Sequence, residues 1–288
     1  MTAIYQKELN SYFRGMLGYL FTAFVLIFAG IYTMAYNLSG AYSNFAYVLD
    51  AISFIYMIAV PILSMRTFAE ERKQKTDQLL YAMPIPMSSV VVGKYLAMVT
   101  VLLVPMGVMC LYPLILTQFG TVSLGTAYGA LFAFFMLGAC LLSVGLFISS
   151  LTDNQVASAV MTLVTVLILY FFSGLASFVS SEASASLMAL IIVSLIFAFV
   201  LYVLSKNPIV AAGVGIVCIG ALMGYYAFEP AVFEGLFGEI MTQLSVFDRF
   251  YGFIDGVFDL KAIIYYASMI AVFLFLTVQS MEKRRWSE

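Results

Sequence analysis

Between Tyr95 and Thr152 the chain runs for 58 residues without one charged side chain. A soluble domain carries about 25% charged residues, so no water-facing surface can be built from such a stretch. A bilayer accepts it. One crossing takes roughly 20 predominantly apolar residues, so the stretch holds two crossings and a turn. Residues 118–126, rich in Gly and Thr, are the natural turn, giving spans at 95–116 and 126–151. The rest of the sequence agrees: 64% of the 288 residues are hydrophobic and 10% are charged. Further apolar runs at 16–36, 51–65, 156–178, 187–205, 209–228 and 262–281 bring the expected number of spans to about eight. The fold class expected is all-α: a polytopic membrane protein forming a single transmembrane domain over residues 1–288.

An even number of spans puts both termini on one side. Lys and Arg in short loops set which side. With the termini inside, eleven of the thirteen basic residues are cytoplasmic, and Arg249 and Lys261 alone fall outside. Both termini are therefore expected in the cytoplasm. The mixed acid and base of the first fifteen residues, without a small-residue cleavage site, does not read as a cleavable signal.

Several kinds of chemistry have no footing. There is no histidine, which removes the commonest general base and metal ligand. Cys110, Cys140 and Cys218 lie far apart in apolar runs and suggest neither a metal site nor a disulfide framework. No phosphate-cradling GxxxxGK[ST] and no GxSxG elbow occurs. No catalytic, cofactor or metal residue is assigned, and the chain is not expected to be an enzyme. A net charge of −2 without a basic patch gives no reason to invoke nucleic acid. The expected spans hold no charged residue, which disfavours an ion-coupled secondary carrier or channel, since such proteins place ionisable groups at membrane depth. That class stays open as an alternative, as does a membrane scaffold.

Against this background one segment stands out. Seven of the chain's 28 charges (Arg66, Glu70, Glu71, Arg72, Lys73, Lys75 and Asp77) fall within twelve residues. They lie between the second and third spans, on the cytoplasmic side. Good helix formers predict a helix over 70–83, ended by Pro84 and Pro86. Ser88 or Ser89 can cap the helix that enters the third span. Leu79, Leu80 and Met83 give the segment an apolar face among charges, as a docking helix requires. Two other stretches have amphipathic spacing. Tyr5, Leu9, Tyr12 and Phe13 line one face of residues 1–15, expected as an interfacial elbow. Phe233, Leu236 and Phe237 belong to an apolar stripe in the extracytoplasmic segment 229–261, expected to shield or receive an amphiphilic substrate.

The charged segment resembles the coupling segment of type-2 ABC transporter permeases, especially the gliding-motility-type branch. The residues in order are Ala69-Glu70-Glu71-Arg72, Thr76, Leu79-Leu80, Pro84 and Gly93-Lys94. The entry with Lys7-Glu8-Leu9, Phe13 and Tyr19 resembles that family's elbow. Residues 149–159 resemble its loop between spans four and five, and 256–278 with Arg285-Trp286 its closing span and tail. The resemblance implies a permease subunit, in all expectation of an exporter. It would pair with a second permease subunit, identical or different, in the lipid bilayer of a bacterial inner membrane. A separate ATP-binding cassette subunit would carry ATP and Mg and dock on segment 66–94. Glu70, Glu71, Thr76, Leu79, Leu80 and Pro84 are then the docking residues, and Tyr5, Leu9 and Phe13 the elbow. The branch usually has six spans; here residues 187–228 add either a hairpin or a re-entrant element. The substrate is not legible.

Overall fold

The computed structural model describes residues 1–76, 85–172, 174, 178–205 and 208–285. Among them there is no strand. The helices are α1 (Thr2–Arg14), α2 (Leu17–Thr33), α3 (Ala46–Ile52), α4 (Tyr56–Ser64), α5 (Ala69–Lys73), α6 (Met87–Met109), α7 (Leu111–Leu116), α8 (Leu124–Leu151) and α9 (Gln155–Tyr170). After these come α10 (Ala183–Ser205), α11 (Pro208–Phe228), α12 (Leu236–Leu244), α13 (Asp248–Ile254) and α14 (Leu260–Arg285). Five helical stretches are long and apolar enough to cross a membrane: Leu17–Ser39, Ala46–Lys73, Met87–Leu116, Leu124–Leu151 and Leu260–Arg285. Shorter apolar helices cover Gln155–Tyr170, Ala183–Ile196 and Ala212–Phe228. Each of the eight apolar runs in the sequence thus coincides with apolar helix among the described residues.

The chain divides into two compact units, Met1–Tyr170 with Arg249–Glu288, and Phe171–Asp248. The first is organised around α8, which packs against α4, α6, α9 and α14. Lipid supplies no hydrophobic drive between helices, so close packing through small residues has to hold them. The sequence of α8 provides this. Gly138 faces Tyr56 and Leu102, and a Cβ there would meet the Tyr56 hydroxyl oxygen at 2.7 Å. One heptad later Gly145 lies against Ser64 and Thr162, with Ser64 Cβ 2.8 Å from where its own Cβ would stand. Tyrosines bridge neighbouring helices through backbone carbonyls. The Tyr56 hydroxyl donates to Phe134 O at 2.9 Å and that of Tyr95 to Ala139 O at 3.1 Å. A buried hydroxyl without such a partner is costly, and this pairing lets a bulky, partly polar side chain sit in the interior.

In the second unit α10 packs along α11, and α12 folds back onto α10. Gly235, at φ 70°, supplies the left-handed turn that admits α12, and its N–H donates to Ser181 O at 2.9 Å. The apolar stripe of this region is used internally. Phe233 is buried against Tyr225 and Tyr226, with ring centroids 6.0 and 5.4 Å away. Phe237 and Met241 form a small core with Phe172, Val179, Leu190 and Ile240. Leu236 is half-buried.

Three boundaries differ from the sequence expectation. The helix expected over 70–83 is interrupted after Lys73, where Gln74 caps α5 and Lys75 takes φ 56°; its part over 77–83 lies outside the described residues. The third spanning helix begins at Met87 rather than 95, following Pro86 with no side-chain cap from Ser88 or Ser89. The second begins at Ala46, so that Asp50 lies inside its first helix. Together the last two put Asp50 and Lys94 within helical spans that the sequence reading left free of charge.

Candidate functional site

Lys94 is the most confined charge among the described residues. Its side chain is 1% exposed, two turns inside α6. An ammonium there needs several acceptors to be tolerable, and it has them. Nζ lies 2.9 Å from Glu8 Oε1, 3.0 Å from Glu71 Oε1 and 2.9 Å from Thr67 O. The Phe68 ring lies 5.1 Å beneath it, a cation–π contact. Three separate stretches therefore meet on one charge: α1 through Glu8, the turn and α5 through Thr67 and Glu71, and α6 through Lys94 itself. Gly93 makes the meeting close enough. A Cβ at that position would stand 3.3 Å from Ile4 Cγ2 and 3.4 Å from Met1 O, so α1 rests directly on the α6 backbone.

Tyr12, one turn beyond Glu8, reinforces the same joint. Its hydroxyl donates to Leu63 O at 3.0 Å and lies 3.2 Å from Thr67 Oγ1. Burial pushes this phenol well above its ordinary range, so it stays a donor. Tyr12→Phe is expected to destabilise the protein by about 1 kcal/mol, read as a lowered melting temperature in detergent; an unaltered melt would mean the bond contributes nothing. Ser149 of α8 completes the connection. Its Oγ accepts from the N–H groups of Phe68 and Ala69 at 3.1 and 3.3 Å and donates to Met65 O at 3.4 Å. The backbone between α4 and α5 is thereby satisfied without leaving the protein.

The neighbouring residue, Arg72, turns to the other side. It is 3% exposed; Nη1 donates to Thr152 O at 3.3 Å and lies 3.6 Å from Asp153 Oδ1, and Nη2 lies 3.3 Å from Met281 Sδ. Asp153 also pairs with Arg284 at 2.8 Å, and Arg284 Nη2 donates to Leu151 O at 2.9 Å. Asn154 caps α9, its Oδ1 accepting from the Val156 N–H at 2.9 Å. A polar cleft of about 560 Å³ opens between α1 and residues 66–76, lined by Lys7, Glu8, Arg66, Glu70, Glu71 and Lys94 among others.

The docking residues expected from sequence are distributed as follows. Glu71 points inward to Lys94, with exposed Lys7 3.3 Å from the same oxygen. Glu70 is half-buried and paired with Arg66 at 2.7 Å. Thr76 is exposed and donates to Glu71 O at 3.2 Å. Leu79, Leu80 and Pro84 lie outside the described residues. Of the elbow residues, Tyr5 hydrogen-bonds Thr100 Oγ1 at 3.0 Å, Phe13 packs edge-on with Tyr19 at 5.6 Å, and Leu9 is half-buried. Ile4, Glu8 and Tyr12 of α1 also face the bundle, Glu8 and Tyr12 as its buried residues. Sequence reasoning took Arg72 and Lys94 as parts of a motif without seeing either as an anchor, and gave Asp153 and Arg284 no role of their own. A lysine that enters an apolar run was the available signal for Lys94.

The ABC-2 family transporter protein model matches residues 31–279. The chain belongs to the ABC-2 transporter family. It is accordingly a multi-pass membrane protein and a permease subunit, the transporting rather than the catalytic part of an ABC transporter. ABC-2 permeases generally pair with an ATP-binding subunit. Neither the curated proteins nor the solved structures give a significant match to this permease. Family membership also replaces an inference that the structure weakens. Asp50 and Lys94 lie on helices of spanning length, so the absence of charge in the expected spans is a weaker argument against a carrier.

Proposed function

We propose that this permease is the membrane half of an exporter of the gliding-motility-type branch, driven by a separate ATP-binding subunit that docks on residues 66–94. In this reading the chain crosses a bacterial inner membrane eight times, with both termini cytoplasmic, and pairs with a second permease. ATP and Mg are bound by the partner. Glu70, Thr76, Leu79, Leu80 and Pro84 face the ATP-binding subunit. Glu71 acts from the inner side, holding α5 to Lys94. The observation that carries the reading is the buried Glu8–Lys94–Glu71 cluster, because a segment that transmits force must be fastened to the spans it moves. A solvated loop needs no such fastening.

The test is purification of the tagged permease from native membranes, followed by ATPase assay. The wild type should co-elute with an ATP-binding subunit. Leu79→Ser with Leu80→Ser should lose that subunit. Glu71→Gln should keep it but lose the change in ATPase rate that accompanies assembly. Retention of both properties in both variants would remove segment 66–94 from the docking surface.

A further inference from the structure

Glu71 and Arg72 are consecutive residues of a five-residue helix, yet their contacts lead to different parts of the bundle. Glu71 reaches Lys94 at 3.0 Å, and Lys94 reaches Glu8 at 2.9 Å. That branch ends on α1 and α6. Arg72 reaches Thr152 O at 3.3 Å, Asp153 at 3.6 Å and Met281 Sδ at 3.3 Å. That branch ends on the α8–α9 loop and α14, where Arg284 shares Asp153 at 2.8 Å. Successive residues on a helix lie about 100° apart around its axis, so one small helix can hold two sets of neighbours. Both anchoring side chains are largely enclosed, Arg72 at 3% and Glu71 at 14% exposure. Breaking an enclosed ionic contact is costly, so both contacts carry displacement rather than slipping.

From this geometry we infer that α5 divides a displacement between two helix groups, with Glu71 as the positioning residue for α1 and α6 and Arg72 as the positioning residue for the α8–α9 loop and α14. The inference rests on the coupling role given above to residues 66–94. Motion of one helix would then reach the spans by two routes that can be cut one at a time. The asymmetry of the branches matters as well. The first ends on an ammonium that is 1% exposed, the second on a carboxylate that is 68% exposed.

Backbone hydrogen exchange of the intact complex, compared without nucleotide and trapped with ATP and vanadate, separates the routes. The wild type should change protection in residues 1–14 and 87–98 and also in 150–156 and 278–285. Glu71→Gln should abolish the nucleotide-dependent change in the first pair of segments and spare the second. Arg72→Gln should do the reverse. Asp153→Asn, at an exposed position, weakens the second branch without threatening the fold, and Arg72→Lys should restore part of it. Loss of both pairs together in each single variant, or of neither, would overturn the division while leaving coupling intact. A wild-type complex with no nucleotide-dependent change in any of these segments would overturn the coupling reading and this inference with it.

Discussion

Lys94→Met should lower stability by about 3–5 kcal/mol, the usual cost of removing one partner from a buried ion pair. Two carboxylates, Glu8 and Glu71, face this ammonium with side chains 12% and 14% exposed. Once it is gone, Lys7 is the one cation left beside Glu71 Oε1 among the described residues, at 3.3 Å and 67% exposed. It reaches Glu71 and leaves Glu8 unanswered. The loss is therefore electrostatic more than steric, since Met fills most of the volume of the lysine stem. Two further variants separate these causes. Lys94→Arg keeps the charge and should retain most of the stability. Lys94→Met combined with Glu8→Gln and Glu71→Gln removes the stranded carboxylates and should recover much of it. The readout is the fraction of protein that stays monodisperse after heating in detergent. A single Lys94→Met variant that melts with the wild type would show that the cluster is not held by its charges.

Gly145→Leu should be among the most damaging overpacking substitutions in the helix bundle. Overpacking in a close-packed interior commonly costs about 1–3 kcal/mol, occasionally more, and this site is worse placed than most. Its Cβ would run into both Oγ and Cβ of Ser64, with Thr162 Cγ2 at 3.3 Å. A Cβ is fixed to its backbone and cannot swing away, so α4 and α8 would have to part. Tyr56 and Ser149 depend on that spacing for the bonds described above. Gly107→Leu is the matched control, because no atom lies within 4 Å of its would-be Cβ. Gly145→Ala combined with Ser64→Gly should fold better than Gly145→Ala alone. Equal yields for Gly145→Leu and Gly107→Leu after membrane extraction would contradict the packing account.

The bundle was largely legible because it rests on long apolar runs, which survive errors of several residues at each end. What periodicity could not supply is the depth at which each helix starts. The apolar run after Lys94 suggested a span from 95, yet α6 begins at Met87, since Pro86 sets its start and lysine is a good helix former. The helix entering the span was already expected from Ser88 or Ser89; what spacing could not show is that Lys94 on it is enclosed by Glu8, Glu71 and Thr67. The short α5 shows tertiary contacts setting a boundary that propensity does not. The Arg66–Phe68 turn and the bonds to Ser149 and Lys94 fix its beginning, and Lys75 turns left-handed after one and a half turns. The stripe of Phe233 and Phe237 shows a related limit. An apolar face predicts that something covers it, and here Tyr225, Tyr226 and Met241 of the same unit do so. The contacts of Arg72 with residues more than 75 positions away leave no trace in spacing at all.

The two ionic joints also differ in how dissolved salt reaches them. At physiological ionic strength charges in water are screened over about 8 Å, and the distance shortens as salt is added. Asp153 and Arg284 are 68% and 36% exposed and sit within that atmosphere, whereas Lys94 is sealed from it. Mobile ions can weaken the joint at the α8–α9 loop while the one at α1 keeps its full strength. The ionic strength around the protein thus sets how stiff one end of α5 is relative to the other, with no change in sequence.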